Sequence, residues 1–135
     1  MPKIVLLWTD VVLYAMLLAL AWYGWRIRVN DNLRANGLVP YIEPYTALGF
    51  TQAGNGGGEV RQAGAFTAAG NNAIVDWVLV ELRDAATGQN VVATRSALLQ
   101  RDGDVVGVDG SSPLGFCQDA GNYRVSVRHR NHLGC

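Results

Sequence analysis

Lysine is almost missing from this chain, with Lys3 its sole example, and only two cysteines, Cys117 and Cys135, occur among 135 residues. From Gly37 onward seven arginines face nine aspartates and glutamates, so there is no basic stripe to neutralise phosphates, and nucleic acid is excluded as a partner. Two thiols cannot build a four-cysteine zinc ribbon or a dense disulfide scaffold. A single bridge between Cys117 and Cys135 stays open, on the condition that their Cα atoms approach within about 7 Å. No serine or cysteine stands in a recognisable nucleophile signature, and no cofactor motif is complete, so the chain reads as non-enzymatic.

Long apolar runs are also scarce, with one exception. Residues 4–25, IVLLWTDVVLYAMLLALAWYGW, are apolar on all sides and interrupted only by Thr9 and Asp10. Their length matches the ~20 residues that cross a bilayer, and Trp8 at one end with Trp22, Tyr23 and Trp25 at the other fit interfacial aromatic belts. The expectation is one transmembrane helix, uncleaved, because aromatics and arginines stand where a signal peptide would carry small residues. Asp10 lies near enough to one end for its carboxylate to reach the interface. Arg26, Arg28 and Arg34 follow the run, which by the positive-inside rule places the remainder in the cytoplasm. That conflicts with the rest of the chain, which reads as an extracytoplasmic domain.

Asn36-Gly37 and then Pro40 end the helical pattern, giving a first segment at 1–36. Residues 37–70 read as an extended linker, whose arm at 38–53 joins the domain that follows. Gly54-Asn55-Gly56-Gly57-Gly58 lacks the Lys-Ser/Thr pair and helix of a phosphate loop, so a flexible loop is expected. Residues 71–135 carry the β core. AIVDWVLVELRD is the strongest strand, with Ile74, Val78, Val80 and Leu82 expected on one face and Val75, Trp77 and Leu79 on the other. AATGQN is a turn leading to the partner strand VVATRSALLQ, and Val105-Val106 make a short strand between two further turns. Residues 113–117 and 122–130 read as closing strands. In the last of these Tyr123, Val125 and Val127 are expected inward, and Arg124, Ser126 and Arg128 outward. Short strands separated by turns, without helices between them, predict an antiparallel β-sandwich of the prealbumin or immunoglobulin-like kind, preceded by one transmembrane α-helix.

The site candidates are few. Arg128, His129, Arg130 and His132 form a basic, hydrogen-bonding surface at the end of the last strand and are the binding residues expected here. Asp102, Asp104 and Asp109 are weak calcium candidates, since a calcium loop would need an oxygen donor where Val106 stands and a closing Glu. The two histidines are three apart with no Glu between them, so no metal site is expected there.

Two resemblances add to this reading. The first segment, through WRIRVNDNLRAN, resembles the extra first helix of some oligopeptide-type ABC transporter permeases, without any of the later helices. Four ordered motifs, EPYTALGF, NNAIVDWVLVELRD, ATRSALLQRDGDVV and VRHRNHLG, resemble an uncharacterised hemagglutinin-like module of large secreted surface proteins in Bacteroidetes-type bacteria. Within 38–134 that resemblance implies cell-surface display or binding and transfers no catalytic residue. A Leu-Arg-Ala run closes the first resemblance and opens the second, as in a fusion at shared sequence. The expected function is thus a membrane-anchored β module, in contact with a lipid bilayer and a protein or glycan partner. The alternative is an accessory subunit of a transporter-like membrane complex, packed through its single helix.

Overall fold

The computed structural model describes residues 30–131. The expected span at 4–25, together with Asp10, Arg26, Arg28, His132 and Cys135, lies outside them. Among the described residues no helix is long and apolar enough to cross a membrane.

The described chain is mainly β. A single helical turn, α1 (Asn32–Ala35), is closed by Gly37 at φ +67°, with Leu38 N–H donating to Leu33 C=O and Gly37 N–H to Arg34 C=O. This double closure satisfies carbonyls the turn would otherwise leave bare, and glycine takes the left-handed position without steric cost. Four strands follow: β1 (Ile74–Asp84), β2 (Val91–Gln100), β3 (Val105–Val106) and β4 (Tyr123–Arg128). They form one curled antiparallel sheet of order β3-β2-β1-β4. Three hairpin-connected strands, with the fourth returning to lie beside the first, make a Greek key. Residues 113–117, expected as a strand, contribute only an isolated bridge from Pro113 to Val106. Proline has no N–H to donate, and Gly115 two residues later weakens any extended ladder.

β1 is central and is buried from Ile74 to Leu82. Ile74 pairs with Gln100 but Asp76 with Leu99, so Val75 is an extra residue, a β-bulge. The bulge reverses the alternation ahead of it. Ile74, expected beside Val78, instead joins Trp77, Leu79, Leu98 and Val106 in the larger core, while Val78, Val80 and Ala97 form a second cluster.

The larger core is covered by chain segments outside the sheet. Tyr45 and Val39 of the arm and Ala65 of a 3-10 turn (Ala65–Thr67) are buried in it, with Leu33, Phe50 and Phe66 packed at its margin. Tyr45 meets Phe50 edge to face at 5.3 Å between ring centroids. The smaller cluster is flanked by Leu99, Val105, Leu114 and Phe116, all from the β2–β3 side.

The β4 side has no such cover. Val125 lies opposite Leu82 and Val127 opposite Val80, so both share the smaller cluster's face, yet they are 63% and 53% exposed. Tyr123, half-buried, and Arg124, exposed, lie on the expected sides, but from Val125 onward the sidedness of β4 is inverted. Ser126 and Arg128 are the half-buried residues, drawn to the face on which β1 carries the buried Glu81.

Candidate functional site

Two carboxylates on β1 organise the polar end of the sheet. Asp76 is 2% exposed, and an anion there must be matched by donors or lose its charge. Its Oδ2 accepts from Arg130 Nε at 3.0 Å and lies 3.0 Å from His129 Nε2. Oδ1 lies 2.9 Å from Arg130 Nη2 without an aligned hydrogen bond, so that contact is electrostatic. Five residues on, the buried Glu81 pairs with Arg83 (Nη2 to Oε2, 2.6 Å) and Arg128 (Nε to Oε1, 3.2 Å).

Of the binding residues expected here, His129 and Arg130 contact Asp76, while Arg128, its side chain 40% exposed, contacts Glu81. His129 Nδ1 also accepts the Asn131 N–H at 3.3 Å. With Nε2 directed at Asp76, both ring nitrogens are engaged, a pattern that fits the tautomer protonated on Nε2. Sequence reasoning missed the acceptors. The available signal was an acid inside an otherwise apolar central strand, which requires a cation from elsewhere in the chain.

Tyr45 locks the same end of the sheet. Its hydroxyl donates to the Trp77 carbonyl at 2.8 Å and lies 3.3 Å from that of Arg128, tying the arm to β1 and β4. Burial raises the phenol above its ordinary pKa, and the neighbouring charges of Asp76 and Glu43 push the same way. The Trp77 indole N–H in turn donates to Pro40 C=O at 2.9 Å.

The glycine-rich segment is tied down rather than loose. Gly58 N–H donates to Glu43 and Gly57 N–H to Glu59, so the amides that a phosphate loop would present to its anion are taken by the chain's own carboxylates. Gly56 lies against Thr94, where a Cβ would collide with the carbonyl and hydroxyl. Glu43 also accepts from Tyr45 N–H at 2.7 Å and from Ser96 Oγ at 3.3 Å. Burial pushes its carboxyl up, but the bonds from Thr46, Gly58 and Tyr45 outweigh this and hold it below its usual value.

The acidic turn candidates bind themselves. Asp109 is capped by Ser112 Oγ and by the N–H groups of Ser111 and Ser112, which hold its pKa down to about 2. Asp102 accepts from Asp104 N–H. Among the described residues no group of three or more His, Cys, Asp or Glu is placed to hold a metal. Cys117 is exposed, and any pairing with Cys135 falls outside the described residues.

Beside the Asp76 clamp lies an open, mostly apolar recess of about 630 Å³, lined by Pro40, Ile42, Pro44, Ala47 and Leu48 together with the polar Glu43, Arg130 and Asn131. No sequence signal pointed to it, because its walls come from an arm read as linker. Comparison of the chain with protein-family models, with curated proteins and with solved structures gives no match.

Proposed function

We propose that this chain is a non-enzymatic β module held at a membrane by its apolar amino-terminal run, displaying its surface to a protein or glycan partner. The observation that carries the reading is the internal neutralisation of the polar cluster. Asp76, Glu81 and Glu43 are each committed to donors of the same chain, and His129 spends both nitrogens within it. Such a network fixes a scaffold and leaves no poised acid, base or nucleophile at its centre.

The anchor rests on the run at 4–25, and the display role on the resemblance of 38–134 to secreted surface modules. With Arg128 paired to Glu81 and Arg124 bonded to the Ala85 and Ala86 carbonyls, the presenting surface is the outer edge of β4 with its uncovered valines, Val125 and Val127. A second sheet, if it completes a sandwich, packs on that valine side.

A second reading, the accessory subunit of a membrane complex, is favoured by Arg26, Arg28 and Arg34, which place the β part in the cytoplasm by the positive-inside rule. Protease added to intact cells separates the two. Surface display predicts digestion of the β part without permeabilisation, and digestion only after permeabilisation would refute it.

A further inference from the structure

We propose that the recess walled by Pro40, Ile42, Pro44, Ala47 and Leu48 is a membrane-facing foot, seated against the headgroup and acyl boundary of the bilayer that the amino-terminal run enters. The inference rests on the anchor reading above and adds where the domain meets lipid.

Four observations carry it. The recess is open and its walls are mainly apolar, and two of them, Ile42 at 55% and Leu48 at 57%, are among the most exposed large hydrophobics of the domain. Apolar groups so grouped and uncovered mark a surface made to leave water. Second, Val60 pairs with Ile42 through an isolated bridge and is itself 42% exposed, widening the apolar area. Third, residues 1–29 precede the described part in the sequence, and the arm follows its first residue, Asn30, after only eight positions. The closure of α1 puts Leu38 N–H 2.8 Å from Leu33 C=O, so the chain turns between Asn30 and the arm instead of continuing as a helix. Only 17 positions separate Trp25 from Ile42 in the sequence, a tether of at most about 60 Å at about 3.5 Å per residue, which confines the recess to the neighbourhood of any bilayer that the apolar run enters. Fourth, the walls are rigid where they need to be: Pro40 is held by the Trp77 indole and Glu43 by three backbone N–H groups. Arg130 at the rim is bound to Asp76 and keeps its charge from entering the apolar walls. Contact with the acyl boundary desolvates the apolar walls, while the polar ends of Tyr41 and Asn131 suit the headgroup layer.

The test uses the full chain in phosphatidylcholine and phosphatidylglycerol vesicles, with Cys117→Ser and Cys135→Ser removing the native thiols. A polarity-sensitive fluorophore is placed singly at Leu48→Cys, at Gln89→Cys in the distant β1–β2 turn, or at Ala15→Cys in the apolar run. The quenchers are lipids spin-labelled near the headgroup for positions 48 and 89, and low on the acyl chain for position 15. The expected result is blue-shifted emission at position 48 that loses most of its intensity with the spin-labelled lipid, with position 89 unaffected. Quenching at 15 but not at 48 overturns the foot and leaves the anchor standing. No quenching at 15 overturns both. A blue-shifted label at 48 that ignores the spin label means protein covers the recess, and also overturns the foot.

Discussion

Arg130 Nε lies 3.0 Å from Asp76 Oδ2, so the end of the last strand clamps a carboxylate 54 positions earlier, in the first. Cutting one partner away from a buried ion pair costs more than the pair contributes, because the other charge is left in a poor solvent. Arg130→Met keeps most of the side-chain volume and removes the charge. It is expected to lower unfolding free energy in urea by about 2–3 kcal/mol, somewhat below the usual range because His129 remains on Asp76. Adding Asp76→Asn should restore part of the loss. A single variant as stable as the parent would show that the clamp does not hold the sheet.

Tyr45→Phe removes one hydroxyl and nothing else. The Trp77 carbonyl loses a donor at 2.8 Å within the core, and the expected cost is about 1–2 kcal/mol by thermal or urea unfolding. The chain trace around the arm should stay intact, since the ring still packs on Phe50.

The inverted sidedness of β4 gives a paired test. Val125→Ser should change stability by no more than about 0.5 kcal/mol, as at any exposed site. Val78→Ser, on the same face of the sheet but 2% exposed, should cost about 2–3 kcal/mol through a lost apolar contact and a buried hydroxyl. Equal costs would mean that the β4 valines are covered after all.

Acid should unfold the domain in a defined window. Asp109 is held down to about 2 by Ser112 and Ser111, Asp84 is held well below its usual value by the N–H groups of Thr87 and Asn90, and Glu43 is also lowered. A carboxyl with a folded pKa below its unfolded one contributes stability that is complete above the unfolded value of about 4 and is lost as pH falls through the folded value. Urea midpoints should therefore be flat from about pH 7 to 5, then fall from about pH 4 towards 2. Asp109→Asn should make that fall shallower. A midpoint that keeps rising as pH drops below 4 would contradict the assignment.

The strands were legible because β-branched density and turn residues are local signals. AIVDWVLVELRD and VVATRSALLQ contain β1 and β2, and the short Val105–Val106 strand and β4 lie where their residues place them. The bulge at Val75 was not legible, because nothing in the local pattern says that Ile74 must reach Gln100 while Asp76 reaches Leu99. Nor was the face that β4 buries. Valines alternating with arginines read as apolar inward, and only the buried carboxylates of the neighbouring strand reverse this. At the site, Arg128, His129 and Arg130 stood out by composition, while Asp76, Glu81 and Glu43 looked like incidental acids. Asp76 and Glu43 depend on partners as far as 54 and 53 positions away, which local reading cannot supply.

The Greek key also sets an order of events during synthesis. When β1, β2 and β3 have left the ribosome, the sheet can zip, but Asp76 has no guanidinium to meet until residue 130 emerges. Until then a bare carboxylate sits where the finished domain allows none, and the partial sheet is held open to water at that end. Pairing β4 with β1 joins residues 39 to 49 positions apart, the kind of non-local contact whose loop-closure entropy slows folding, so β4 is expected to dock after the hairpins have formed.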